Sequence, residues 1–301
     1  MVIRIPRHKI FYAFSSLLSP VVRVKQGEEF IIETNDCFEG QIRKETDLAN
    51  ELDWEHINPA TGPVYIENVH PGDILRVDIL EINIAEQSVV TATPFQGVIG
   101  DLVTKAETSV LTKQGDNLLF HDHLHIPIQP MIGVIGVAPE KDSIPNGVPD
   151  KHGGNMDCNK ICPGSSIYLT IQVPGALLGC GDLHAVMGDG EIISTGAETS
   201  GEVKIKAQVV ELKGLPTPFL ENLESVSSIA SAKTVDEAID HATHAMAIFL
   251  NNFVGIPINE AGMLMSLVGQ LKICQVVDPQ RTVRFEFPKW VLAEYGFRMP
   301  I

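Results

Sequence analysis

Glu202-Val203-Lys204-Ile205-Lys206-Ala207-Gln208-Val209 alternates polar and apolar residues without a break. Successive side chains of a strand point to opposite faces. Val203, Ile205, Ala207 and Val209 therefore share one face, and the charged and amide side chains share the other, which is the pattern of a half-buried antiparallel strand. Residues 166–173 repeat it, with Ile167, Leu169, Ile171 and Val173 against Tyr168, Thr170 and Gln172. Residues 74–84 begin the same way with Leu75, Val77 and Ile79, then switch parity to Leu80, Ile82 and Ile84. A one-residue change of parity predicts a β-bulge at Leu80. Further short strands are expected at 21–24, 29–34 and 64–67, separated by turn clusters such as Asn58-Pro59-Ala60-Thr61-Gly62-Pro63 and His70-Pro71-Gly72-Asp73. The expected fold is mainly β, with a sandwich or jelly-roll-like antiparallel body over residues 1–212.

The pattern changes near Lys213-Gly214-Leu215-Pro216. Thr234-x-x-Glu237 is a capping box, and Val235, Ile239, Ala242, Met246, Phe249 and Phe253 follow it at helical spacing. A second helix is expected over 259–271. Met263, Leu264, Met265, Leu267 and Val268 make it apolar nearly all round, which predicts burial. Strands are expected at 273–277 and 282–287, completing a smaller α+β portion over 213–301.

The chain has 301 residues, a formal charge of −16 and five cysteines. That charge argues against nucleic acid or an anionic membrane as partner. Five scattered cysteines do not form a disulfide framework, so a reducing cytoplasm is expected. No signal-peptide-like run opens the sequence, and no apolar segment is long enough to predict a membrane span.

Reactive side chains concentrate between residues 152 and 198. His152, Asp157, Asp182, His184, Asp189 and Glu191 lie within 40 residues. Asp182 and His184 are two apart, so an extended backbone puts both on one side. They suit metal ligation, an Asp-oriented catalytic His, or a surface pair on a turn. Asp189-Gly190-Glu191 repeats the spacing, and a tight hairpin is the structural alternative. Gly153-Gly154-Asn155 is either a nest of N–H groups for an oxyanion or a flexible turn. His121, His123 and His125 fall on one face of an extended segment, as zinc ligands or as an edge strand. Cys158, Cys162 and Cys180 read as buried free thiols rather than a thiolate metal site, with Cys180 beside His184 as a minor nucleophile alternative. The Pro- and Gly-rich stretch 139–154 is a lid or a plain surface loop.

The segments Asn58-Pro59-x-Thr61-Gly62-Pro63-Val64-Tyr65, Pro71-Gly72-Asp73, 131–139, His152-Gly153-Gly154-Asn155-Met156-Asp157 and Gly181-Asp182-x-His184-Ala185-x-x-Gly188-Asp189-Gly190-Glu191 occur in this order. Together they resemble the acetamidase/formamidase family over nearly the whole chain. The resemblance implies a mainly β protein that binds a divalent metal and hydrolyses short aliphatic amides. It also implies Asp36, Asp157, Asp182 and His184 as site residues, with Glu198 at a further acidic position. The metal expected is zinc, held by Asp36, Asp182 and His184, then Asp157. Glu198 or Glu191 would move the proton, and the backbone around Asn155 would hold the oxyanion. The rival expectation is a calcium-stabilised β binding module without amidase activity. A third keeps hydrolysis but takes a cyclic amide or an ester. A homodimer is expected through the apolar C-terminal helices.

Overall fold

The structure, a computed structural model, describes residues 2–300; Met1 and Ile301, the outer ends of the two expected portions, lie outside the described residues. Two large sheets dominate. The first has nine strands in the order Ile3–Ile5, Glu29–Thr34, Gly201–Val210, Ile74–Ile84, Ser166–Thr170, Phe219–Glu221, Ser225–Ala232, Arg281–Pro288 and Gln270–Gln275. The alternating Gly201–Val210 strand is hydrogen-bonded on both edges, antiparallel to Glu29–Thr34 and to Ile74–Ile84. The bulge falls where the parity switch predicts it. Lys204 pairs with Glu81 and Ile205 with Ile79, which leaves Leu80 without a partner.

The second sheet has eleven strands, with Leu178–His184 near its centre between Met131–Gly136 on one side and Glu198–Thr199 and Ala60–Ile66 on the other. The sheets pack face to face. Leu75, Val77, Val203 and Ile205 from the first meet Ile132, Ile135, Leu178, Cys180 and Leu183 from the second in one buried cluster. This is the expected sandwich, predominantly antiparallel, with parallel pairs at Ile3–Ile5 and Val22–Val24.

The C-terminal portion has its own core but shares the first sheet. Ser166–Thr170 pairs with Phe219–Glu221, so sheet hydrogen bonding crosses the boundary at 212/213. The N-cap half of the capping box forms: Thr234 Oγ1 accepts from the Glu237 N–H at 3.2 Å and opens the helix Val235–Phe249. Ala238, Ala242, Met246 and Phe249 bury its inner stripe against Phe219, Phe285 and Phe287.

Two expectations fail here. The second helix, Ile258–Val268, buries only Ala261 fully, while Met263 and Leu267 are 61% and 78% exposed. It lies on the outside of the portion, so its apolar periphery faces away from the core. The three histidines at 121, 123 and 125 do not share a strand face. His121 and Asp122 have φ of 49° and 58°, which ends the Asn117–Phe120 strand and turns the chain before Leu124–Pro127.

Candidate active site

The core-facing residues of Leu178–His184 are Leu178, Cys180 and Leu183. That spacing breaks a simple two-residue alternation, and the break falls beside Asp182, whose φ is 54°. Asp182 and His184 are thereby directed away from the core, side by side. Segments distant in sequence bring further acids to them. Nε2 of His184 lies 3.2 Å from Glu198 Oε2, 3.4 Å from Asp182 Oδ1 and 3.9 Å from Asp157 Oδ1. Ligand atoms of Asp157, His184 and Glu191 lie within 4.8 Å of one another, as do those of Cys37, Asp182 and Glu198. Asp278 is a charged neighbour of Asp157 and accepts a hydrogen bond from Asn155 Nδ2 at 2.8 Å. Three of the acids, Asp157, Asp182 and Glu191, sit at φ of 42°, 54° and 47°. Left-handed backbone is disfavoured for residues other than glycine and concentrates at functional sites.

The cluster is buried and short of hydrogen-bond partners. Asp157, Asp182, His184, Glu191 and Glu198 are each at least nine-tenths buried. Both carboxylate oxygens of Asp157, one each of Asp182 and Glu198, and Nδ1 of His184 have no hydrogen-bond partner. Burial raises the Asp157 carboxyl well above its usual range, with Glu191, Asp278 and Asp182 adding repulsion. Burial likewise raises Glu191, against the pull of His184. Glu198 is pushed up to about 7 by burial, with His184 opposing and Asp182 adding. Asp278 is also pushed up to about 7 by burial. For His184 burial favours the neutral ring, but Glu198 and Asp182 outweigh it and raise the imidazole well above its ordinary value.

Such a set is costly in isolation, because buried like charges repel and unpaired buried oxygens lose their hydration. A divalent cation removes both costs. The backbone leaves room for this packing of acids: a Cβ on Gly133 would lie 2.4 Å from Asp157 Oδ1 and 2.6 Å from Asp182 Oδ2. Gly196 does the same for the imidazole, since a Cβ there would lie 2.6 Å from His184 Nδ1. Its N–H also donates to Glu198 Oε1 at 2.8 Å. The residues present therefore fit a metal, with His184 and the carboxylates as donors.

The other sequence-derived candidates fall elsewhere. Asp36 is not brought into the cluster. Its Oδ1 accepts from the N–H groups of Phe38 and Gly40, both at 3.0 Å, and it shapes the turn that delivers Cys37. Cys37 instead reaches the cluster, with its ligand atom and those of Asp182 and Glu198 all within 4.8 Å of one another. Asp189 leaves the site as well. It forms a two-pronged ion pair with the buried Arg284 at 2.6 and 2.8 Å, tying the 188–191 turn to the last long strand. Gly153–Asn155 is a strand paired with Met131–Gly136, and the Gly153 N–H donates to the Asp150 carbonyl. The run is thus neither a flexible turn nor an open nest, and Asn155 acts by anchoring Asp278. Cys158 and Cys180 are fully buried in the core, as expected, whereas Cys162 is only partly buried. Cys37 and Asp278 were not visible as candidates. Each is a lone residue in a loop, far from Asp182 in sequence, and only the fold brings it near.

His152 is fully buried beside the Phe14 ring, 5.2 Å between centroids, and neither ring nitrogen has a partner. Burial lowers its pKa to about 4. The unfolded chain binds a proton near the ordinary value of ~6.5, so between those pH values it takes up a proton that the folded chain refuses. His152 therefore costs no stability above ~6.5 and lowers stability as pH falls towards 4, by about 3 kcal/mol in all. Urea unfolding at pH 7 and 4.5 should show a smaller acid-side loss in His152→Asn than in the parent chain. Equal losses would refute this.

A cleft of about 740 Å³ reaches the cluster at Asp182, Glu191 and Glu198. The long 139–154 stretch is one of its walls. Pro145, Asn146, Gly147 and Val148 line it, held by pairing of Ser143–Pro145 with Ala13–Ser15 and by Asn146 Nδ2 donating to the carbonyls of Phe11 and Asn58.

The profile of the Acetamidase/Formamidase family matches residues 14–147 and 143–278, most of the chain. The chain belongs to the acetamidase/formamidase family. Family members of known structure share the whole architecture. An acetamidase from Bacillus halodurans superposes with a TM-score of 0.96 at 40% identity, covering 98% of this chain and 100% of that one. An acetamidase from Yersinia enterocolitica gives 0.89 at 30%, covering 95% and 90%. A γ-lactamase from Delftia acidovorans shares the fold, with a TM-score of 0.68 at 20% identity over 95% of this chain and 90% of that one. Among curated relatives, a formamidase from Methylophilus methylotrophus is 26% identical, covering 64% of this chain and 62% of its own length. The chain thus spans under two thirds of the length of the curated relatives it matches. No helix among the described residues is long and apolar enough to cross a membrane.

Proposed function

We propose that this chain is a metal-assisted amidase acting on aliphatic amides, taking RC(O)NH₂ and water to the carboxylate and ammonia. The observation that carries the reading is the convergence of His184 with Asp157, Asp182, Glu191 and Glu198, buried and with oxygens left unpartnered, at the end of an open cleft. The relatives include a formamidase and an acetamidase, which agrees with it.

Asp157, His184 and Glu191 would hold the ion, with Asp182, Glu198 and Cys37 beside them. Such an ion polarises the carbonyl and lowers the pKa of water to ~7. An imidazole among the donors supports zinc over calcium, which prefers an all-oxygen shell. Glu198, with a pKa near neutrality, is suited to accept a proton from water and return it to the leaving nitrogen. That return is essential because an amide anion is too poor a leaving group. Asn155 holds Asp278 against Asp157 and so fixes that wall of the cluster.

Ammonia release from formamide and acetamide should vanish on metal stripping and return with Zn²⁺. His184→Ala and Asp182→Asn should each lower kcat at least a hundredfold. Full activity of the stripped protein and of both variants would sink the reading. Tight metal binding with no amide turned over would favour the binding-module alternative.

A further inference from the structure

The cleft is far larger than the smallest amides need. Acetamide has four heavy atoms, on the order of 120 Å³ if each takes the ~30 Å³ of a liquid water. The cleft holds about 740 Å³, within the roughly 300–1,000 Å³ of sites that enclose much larger ligands. Its inner end carries the buried acids, whereas its outer part carries aromatic rings. Trp54 and Phe95 line it while 51% and 88% exposed, and the half-buried Tyr12 lines it as well.

These rings are held in place by their backbones. Trp54 opens a short 3₁₀ turn capped by Asp53, which accepts from the Glu55 N–H at 3.1 Å and contacts His56 Nδ1 at 2.8 Å. Phe95 has φ of 67°, its N–H bonds the Gly100 carbonyl, and the next N–H bonds the Thr93 carbonyl. An exposed aromatic on fixed left-handed backbone gains nothing from core packing, so its presence calls for another contact. The charge of the lining is one-sided. It includes Glu55, Asp182, Glu191, Glu198 and Asp278 and no lysine, arginine or histidine.

We propose that Trp54, Phe95 and Tyr12 form an apolar subsite that seats an uncharged alkyl or aryl acyl arm. The preferred substrates are then primary amides with acyl groups larger than acetyl. This rests on the amide-hydrolysis reading above. The amide nitrogen must reach the proton-carrying acids at the inner end, so the acyl substituent points outward to the rings. An anionic arm meets like charge and is rejected.

The test compares acetamide, hexanamide, phenylacetamide and succinamate on the metal-replete enzyme. Hexanamide and phenylacetamide should exceed acetamide in kcat/KM at least tenfold, and succinamate should fall below hexanamide. In Trp54→Ala and Phe95→Ala the phenylacetamide-to-acetamide ratio should drop at least tenfold, mainly through KM, and Trp54→Phe should restore most of it. Calorimetric binding of phenylacetamide to the same variants runs alongside. Acetamide as best substrate, or an unaltered ratio in both alanine variants, overturns the subsite. If no amide is hydrolysed but phenylacetamide binds in a Trp54- and Phe95-dependent way, the subsite stands and the hydrolytic reading falls.

Discussion

Gly133→Ala should abolish both metal retention and amide hydrolysis while leaving the sheets intact. The added Cβ would sit 2.4 Å from Asp157 Oδ1, 2.6 Å from Asp182 Oδ2 and 3.0 Å from the Asp182 carbonyl oxygen. None of these can yield freely. The Asp157 and Asp182 side chains are fixed at left-handed backbone positions, and the Asp182 main chain is part of the sheet. Two carboxylates of the cluster must therefore move by about an ångström, and a misplacement of that size costs roughly a hundredfold in rate. The stability loss should be that of an overpacked core, about 1–3 kcal/mol. Metal content after dialysis, far-UV circular dichroism and ammonia release read out the three parts separately. Gly262→Ala, at an open helical position with nothing within 4 Å, serves as the control. A Gly133→Ala protein that keeps its metal and its rate would show that the acids do not need this close approach.

Asp157→Asn should separate stability from function. In the metal-free chain Asp157 is raised well above its ordinary range by burial and by Glu191, Asp278 and Asp182. A carboxyl raised on folding makes the unfolded state the better acid. Stability is then greatest below the unfolded value of ~3.9 and is lost as pH rises towards the folded one. Asparagine keeps the shape and removes the ionisable proton. The metal-free variant should thus be more stable than the parent at pH 7, by roughly 1–4 kcal/mol as for other buried ionic groups, and the difference should shrink towards pH 4. Zn²⁺ should raise the melting temperature of the parent and not of the variant. A metal-free variant that melts below the parent at pH 7 would contradict the argument.

Much of the fold was legible because strand alternation is local. The Gly201–Val210 strand, the bulge at Leu80 and the cap at Thr234 each follow from neighbouring residues. Burial of the second helix did not follow, since an all-apolar stretch says nothing about which elements remain to cover it. The site was legible where its residues are close in sequence, at Asp157, Asp182, His184, Glu191 and Glu198. It was illegible at Cys37 and Asp278, which arrive only through sheet order, and at Asp36, whose neighbour takes the inward position. Asp189 shows the opposite error. Its spacing from Glu191 suggested a shared role, but a buried Arg284 almost a hundred residues later claims it.

The interleaved order of the nine-stranded sheet sets a schedule for synthesis. Glu29–Thr34 and Ile74–Ile84 have no shared neighbour until Gly201–Val210 has been translated. The loop with Asp278 comes still later, between the final two strands. A nascent chain on the ribosome therefore carries most of the acids of the cluster before it has the element that closes them. On the proposed reading, an ion would be enclosed only after the loop with Asp278 has joined the fold.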